Sequence, residues 1–477
     1  MILETLKRRI DDSAEIAKGM SSDSFGRSFY SRPIFLKVQE YVRNFKNGLA
    51  SDKRWIIMLG LRGVGKSTIL AQTYTHLIKS GVKKEHILYF SVDQIEVSGY
   101  SLVDYLNVYE KYLDKSFGTI KDQIYFLIDE TQSEKNWGKI LKTLYDRNKK
   151  FFIFSTGSSA LELQASPDVA RRSTFEKLYP LSFPEYRMIK NRSLAKKGLK
   201  AAIENALYFS ENAIECHTRL QAIEAEVDNY WSDISENERE KYLMTGMFPF
   251  TVQYVNPESA FTQLNSVIDK IINDDLRAIK SFEPETVEKI KSIIVYLSDK
   301  DVISIVKMAG LVGMHPITAT NVMEALTKAE LLIKVPPLGS SSSKIKKVRK
   351  AAKFLFMSPN MRAALAKVYS IKADPYELKG YLLEDFAALH FYREFVGRGR
   401  GILTYDTTEN RADFILDIVS GNRLAIEIGN KEKGVTQVWN TLEERKCDYG
   451  IVINQDRLSI CEKQTVVSVP HKFFFLA

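Results

Sequence analysis

Gly60-Leu61-Arg62-Gly63-Val64-Gly65-Lys66-Ser67 follows a short apolar run, Trp55–Leu59, and precedes a stretch with helical spacing, Thr68–Ser80. The eight residues match the P-loop pattern in full. A glycine-rich turn between strand and helix exposes a row of backbone N–H groups and a helix N-terminus, and together these cradle phosphates. Gly60, Arg62, Gly63, Gly65, Lys66, Ser67 and Thr68 are therefore the candidate nucleotide-binding residues. Lys66 is placed to reach the β- and γ-phosphates and Ser67 to hold Mg²⁺ through its hydroxyl. ATP with Mg²⁺ is the expected ligand.

Farther along, Gln123–Ile128 is a buried-strand run that ends in Asp129-Glu130. Two acids at a strand end carry little alone. After a complete P-loop they have the Walker B arrangement: Asp129 for Mg²⁺ and Glu130 to polarise the attacking water, with Lys66 and Glu130 as catalytic residues. The expected reaction is hydrolysis rather than transfer to a small-molecule acceptor. A further strand, Phe151–Phe154, ends in Ser155-Thr156-Gly157-Ser158-Ser159. Thr156, or Ser155, occupies the place of a residue that hydrogen-bonds the water or the γ-phosphate. A simple turn signal explains the glycine and serines equally well.

At 477 residues the chain is long enough for two to four domains, and 45% hydrophobic residues can bury substantial cores. Nowhere does an apolar run approach the ~20 residues that span a bilayer. The N-terminus lacks the apolar segment of a signal peptide. The three cysteines, Cys216, Cys447 and Cys461, form no CxxC pair, which fits a reduced, cytoplasmic location. A net charge of +9 permits nucleic-acid binding without proving it.

The order of strands and helices implies an α/β fold, with a doubly wound parallel sheet binding nucleotide at the carboxyl ends of its strands. Residues 1–50 are expected as an N-terminal helical segment, 51–186 as the ATPase core and 187–284 as a helical insertion and lid. Residues 285–358 follow a winged-helix pattern, and 375–477 form a C-terminal α/β domain. The charged helical stretch 187–241 is a solvated face or a partner-binding surface.

The run Leu127-Ile128-Asp129-Glu130-Thr131-Gln132, then Trp137, Thr156-Gly157-Ser158-Ser159 and Pro180-Leu181-Ser182-Phe183-Pro184-Glu185-Tyr186, resembles the prokaryotic AAA-type ATPases of bacteria and archaea. The resemblance covers most of residues 30–454. It implies a helical lid, a winged helix, a C-terminal domain related to PD-(D/E)XK nucleases, and self-association. It also implies an arginine that acts on a neighbouring subunit, and Arg171 and Arg172 stand in that place. A basic helix end that complements the helix dipole is the competing explanation.

Between the expected wing strands Leu331–Val335 and Lys353–Met357 lies a tip with Lys344, Lys346, Lys347, Arg349 and Lys350, followed by Lys353, and no acid among them. Such a hairpin suits phosphate contacts with DNA. In the tail, Glu384 falls on an expected helix, Asp413 near the start of the strand Ala412–Ile418, Glu427 in Leu424–Ile428 and Gln437 on a following helix. This is the restriction-endonuclease-like layout, in which the acids could hold a metal that activates water. The expected Glu-x-Lys is missing, because Glu427 is followed by Ile428-Gly429. Lys431 returns to the same face about 13 Å away along an extended strand, unless a bulge at Gly429-Asn430 shortens the reach. The combined expectation is an ATP-hydrolysing protein that binds DNA through the wing and cleaves or docks on it through the tail, in genome defence or mobile-element biology. The alternative is a nucleotide-dependent signalling or assembly switch with an inactive tail.

Overall fold

The computed structural model describes residues 2–477 except 24, 50–52, 159–164, 301, 340–350, 370–374, 420, 430–434, 456 and 462. The chain divides into two compact units, Met1–Tyr179 and Pro180–Ala477.

The first unit is built on five parallel strands: β1 (Trp55–Leu59), β2 (Ile87–Ser91), β3 (Ile124–Asp129), β4 (Phe151–Gly157) and β5 (Thr174–Lys177), in the order β2-β3-β4-β1-β5. Every residue of β1 to β4 is buried. That explains why these segments are continuous apolar runs rather than alternating ones. β4 lies between β1 and β3, with Met58 beside Thr156 and Ile128 beside Ser155. This order places the polar end of β4 between the glycine-rich turn and the acidic strand end. The sequence reading set residues 1–50 apart as a segment. In the structure the helix Ile2–Ser21 supplies Leu6 and Ile10 to the same core as Ile57, Phe90 and Phe126. It is part of the first unit.

The second unit begins with helices. The run Ser182-Phe183-Pro184-Glu185 starts the helix Phe183–Asn191 as a capping box: Ser182 Oγ accepts from the Glu185 N–H at 3.4 Å, and the Glu185 carboxylate accepts from the Ser182 N–H at 2.8 Å. The stretch read as a solvated or partner-binding insertion has much of its apolar and aromatic face taken up within the unit. Trp231 Nε1 donates to the Lys472 carbonyl at 2.9 Å and its ring stacks on Phe183. Tyr449 donates to the Leu207 carbonyl at 2.7 Å.

Three helices, Pro284–Ser298, Ile305–Leu311 and Pro316–Lys328, accompany a three-stranded sheet of β6 (Val302–Ile303), β7 (Leu332–Val335) and β8 (Ala352–Phe356), ordered β6-β8-β7. The two-residue β6 was not foreseen; it is too short to leave an alternating pattern. The final sheet has six strands: β9 (Gly401–Thr404), β10 (Phe414–Ile418), β11 (Arg423–Ile428), β12 (Tyr449–Asn454), β13 (Ser459–Cys461) and β14 (Val466–Pro470), ordered β13-β14-β12-β11-β10-β9. β9, β10 and β11 pair antiparallel, and β11, β12 and β14 pair parallel. The helices Pro375–Glu394 and Thr436–Arg445 belong to the same region. The sequence reading missed β9, β13 and β14.

Candidate functional site

The carboxyl ends of β1, β3 and β4 converge on the glycine-rich turn. Gly60 adopts φ 152°, and a Cβ there would lie 2.2 Å from the Leu178 carbonyl oxygen. No side chain fits that approach, so Gly60 fixes the turn against the end of β5. Gly65 has φ 102° and starts the helix Lys66–Lys79 from the left-handed region. The first N–H groups of such a helix have no partner within it and are available to an anion. The Lys66 ammonium, buried, donates to the Gly60 and Leu61 carbonyls at 2.8 and 2.9 Å. It is thus held over the loop where phosphates would sit.

Asp129 ends β3. Its carboxylate accepts hydrogen bonds from the Ser67 hydroxyl and from Thr156 Oγ1. Burial, then the neighbouring Glu130 carboxylate, raise the Asp129 carboxyl above its ordinary range, against the pull of Ser67, Thr156 and Lys66. Such a carboxylate gains by taking a cation. The Ser67 hydroxyl in contact with it provides the second oxygen, so this donor pair fits Mg²⁺. Glu130 sits in the left-handed region at φ 49°. Its N–H lies 3.2 Å from Asp129 Oδ1 and 3.3 Å from Thr156 Oγ1. Its carboxylate accepts from the Gln132 side-chain amide, whose oxygen in turn accepts from the Ser158 N–H at 3.3 Å. Thr156 is therefore brought to Asp129, with Ser155 one residue earlier, buried in β4 and donating to the Ile56 carbonyl.

Two residues of this constellation escaped the sequence reading. Gln132, noted only within a motif, holds the Glu130 carboxylate. Arg32 is buried and donates to the Val64 carbonyl at 2.9 Å and the Tyr179 carbonyl at 3.0 Å, tying the loop to the chain beyond β5. Its only signal was a lone Arg-Pro at the start of the helix Pro33–Lys46. Arg171 and Arg172 close the helix Pro167–Arg172 and differ. Arg172 is mostly buried, 2.8 Å from Asp146 and 3.3 Å from Asp168, whereas the Arg171 side chain is 72% exposed and 3.5 Å from Asp168. Arg171 is the more exposed and the more loosely paired of the two.

A family model described as an AAA domain matches residues 52–187, the segment that carries this site. "Uncharacterized protein MJ1637" of Methanocaldococcus jannaschii is 32% identical over 443 residues, 92% of this chain and 87% of that protein. The chain belongs to one family with this archaeal protein, and its residues 52–187 carry the AAA domain. An "Uncharacterized protein" of Haemophilus influenzae is 27% identical over 244 residues, about half of each chain. A second family model, a domain of unknown function (DUF8612), matches residues 236–372. Among solved structures, the Aeropyrum pernix ORC1 protein in complex with DNA matches 70% of this chain and 91% of its own, with 11% identity and TM-score 0.31. AMPPCP-bound DnaA from Aquifex aeolicus matches 63% and 89%, with 14% identity and TM-score 0.26.

In this AAA-domain chain the tail residues are also brought together, but not as expected. Asp413 stands just before β10, and its carboxylate accepts from the Ile428 N–H at 3.0 Å. Glu427, buried in β11, accepts from the Asp413 N–H at 2.9 Å. Glu384, on the helix Pro375–Glu394, pairs with Lys353. Among the described residues no group of three or more His, Cys, Asp or Glu side chains is arranged to hold a metal ion. The expected cage of Glu384, Asp413 and Glu427 is instead approached by an ammonium. Gln437 lies half-buried in the first turn of its helix, where its carbonyl accepts from Thr441. At Gly429 the N–H still donates to the Ile453 carbonyl at 3.0 Å, and Asn430, the other residue of the expected bulge, lies outside the described residues. Lys431 lies outside the described residues, as do Lys344, Lys346, Lys347, Arg349 and Lys350. Lys353 was grouped with that basic tip; it is in fact buried within β8. Among the described residues no helix is long and apolar enough to cross a membrane.

Proposed function

We propose that this AAA-domain protein binds and hydrolyses ATP with Mg²⁺ and couples that cycle to DNA. The observation that carries the reading is the convergence of Lys66, Ser67, Asp129, Glu130 and Thr156 on one glycine-rich turn at the carboxyl end of the β2-β3-β4-β1-β5 sheet. A cation held by Ser67 and Asp129 would neutralise phosphate charge and orient the γ-phosphate. The first-turn N–H groups cradle the phosphates, and Lys66 exchanges its two loop carbonyls for phosphate oxygens. Glu130, released from Gln132, orients the attacking water, while Thr156 holds Asp129 in place and can reach the same water. Arg171 is the better placed of the two arginines to complete a neighbouring subunit's site, so the working form is a self-associated one.

The DNA part of the proposal rests on the three helices with the β6-β8-β7 sheet, an order that suits a winged helix, and on the basic run Lys344, Lys346, Lys347, Arg349 and Lys350. Phosphate contacts from this run would position duplex DNA without reading its sequence. The C-terminal sheet is proposed as a nuclease-like domain that docks rather than cuts. The location is taken to be cytoplasmic.

ATP turnover and DNA affinity, measured with and without duplex DNA, test the coupling. DNA should stimulate turnover. Replacing Lys344, Lys346, Lys347 and Arg349 by alanine should flatten the salt dependence of binding by a slope of about 0.9 per lost contact. Turnover indifferent to DNA, with an unchanged salt slope, would favour the nucleotide-dependent assembly switch.

A further inference from the structure

Lys353 lies in the middle strand of the small sheet, paired with Val302 of β6 on one side and Val335 of β7 on the other. Its side chain runs across that sheet into the acidic centre of the C-terminal domain. The ammonium contacts the Glu384 carboxylate, lies 3.8 Å from Asp413 Oδ1 and sits 5.0 Å above the centre of the Phe414 ring. Only 5% of the side chain is exposed, against 14% for each of those two acids.

Three features make this more than a chance ion pair. First, the acids come from separate elements: a helix, the entry to β10, and β11. Asp413 and Glu427 are fixed by reciprocal bonds to backbone N–H groups across two strands. Carboxylates held so rigidly repel one another unless a cation lies among them. Second, with the ammonium in place among them, the described residues offer no group of three or more acids open to a metal ion. Third, a buried ammonium is costly without partners, and here the partners come from outside its own sheet, from the helix Pro375–Glu394 and the entry to β10. The acids need a cation, and the lysine needs anions.

We infer that Lys353 stands where a nuclease-like centre would hold its metal ion, so that the acidic cluster is a closed ionic latch joining strand β8 to the C-terminal sheet and not a hydrolytic centre. The missing Glu-x-Lys lysine and the presence of Lys353 then have one explanation. A centre that has lost the cation orienting its water has kept its carboxylates for holding the wing strand. A cleft of about 410 Å³ lined by Lys353, Asp413, Asp406, Thr408 and Arg411 opens beside the latch. It gives a small cation a way in if the ammonium is withdrawn. This inference rests on the docking role proposed for the tail and is independent of the ATPase reading.

The test is Mn²⁺ titration of the full-length, nucleotide-free protein by calorimetry and electron paramagnetic resonance. The wild type should take up no Mn²⁺ that depends on Asp413, and should not nick DNA. Lys353→Met should gain one bound Mn²⁺ per chain, lost again in Lys353→Met/Asp413→Asn. Thermal unfolding supplies a second readout. Lys353→Met should lower the melting temperature, and adding Glu384→Gln should restore part of the loss, because the carboxylate that has lost the ammonium is neutralised. Stoichiometric Mn²⁺ binding by the wild type that disappears in Asp413→Asn would overturn the inference, whatever the variants do. So would additive effects of the Lys353 and Glu384 substitutions.

Discussion

Arg32→Ala removes a guanidinium that is 7% exposed and donates to two carbonyls, Val64 at 2.9 Å and Tyr179 at 3.0 Å. Val64 belongs to the glycine-rich turn, and Tyr179 follows β5. Hydrogen bonds from a charged donor contribute about 1.5–3 kcal/mol each, and a buried acceptor left without its donor costs a comparable amount. Part of this is offset, since the variant no longer buries a cation. The net loss should be about 2–4 kcal/mol for the first unit. For a unit of this size that lowers its melting temperature by about 5–15 °C. ATP affinity should fall as well, because the loop must be ordered before its N–H groups can bind phosphate. Arg32→Lys should fall between, since one ammonium cannot reproduce a planar fork that reaches two carbonyls. The assays are calorimetric unfolding and equilibrium binding of a fluorescent ATP analogue. A normal melting temperature with normal affinity would refute the claim that Arg32 holds the loop. A lowered melting temperature with normal affinity would confine it to stability.

Acid should weaken the second unit well before its carboxylates protonate. Burial lowers the imidazole of His390 to about 3 and that of His471 to about 4 from an ordinary 6.5. The unfolded chain therefore takes up these protons first, and stability falls as pH drops from about 6.5 toward those values. Linkage puts the loss between pH 7 and 5 on the order of 2 kcal/mol per group. Urea titrations across that range should show the midpoint moving down, and His390→Gln/His471→Gln should flatten the dependence if folded. For assembly, mixing Glu130→Gln subunits with Arg171→Ala subunits should restore part of the ATP turnover. No recovery from folded, co-assembled variants would count against an arginine acting between subunits.

The residues proposed for the nucleotide site could be picked out because their chemistry is local. The turn and the acids each occupy a few consecutive residues, and buried parallel strands announce themselves as apolar runs such as Trp55–Leu59 and Ile124–Asp129. What the sequence could not reveal was choice of partner. Arg32 stands 32 residues before the carbonyl it holds, and nothing in Tyr30-Ser31-Arg32-Pro33 names Val64. Gln132 was visible in a motif, but its contact depends on the left-handed turn at Glu130. Lys353 misled because it closes a run of surface-type cations, yet it falls inside β8, a middle strand that is buried along its whole length. The helix Ile2–Ser21 looked like an extension because an amphipathic face does not say which core it covers. β6 and β13, at two and three residues, are held by their sheets rather than by propensity.

The central claim is that Lys66, Asp129 and Glu130 form one ATP-hydrolysing site, and single-turnover ATP hydrolysis beside ATP binding tests it most directly. The wild type should bind and turn over ATP in the presence of Mg²⁺. Lys66→Ala should lose binding, while Glu130→Gln should bind ATP as well as the wild type and retain it unhydrolysed. Equal turnover in wild type and Glu130→Gln would contradict the account.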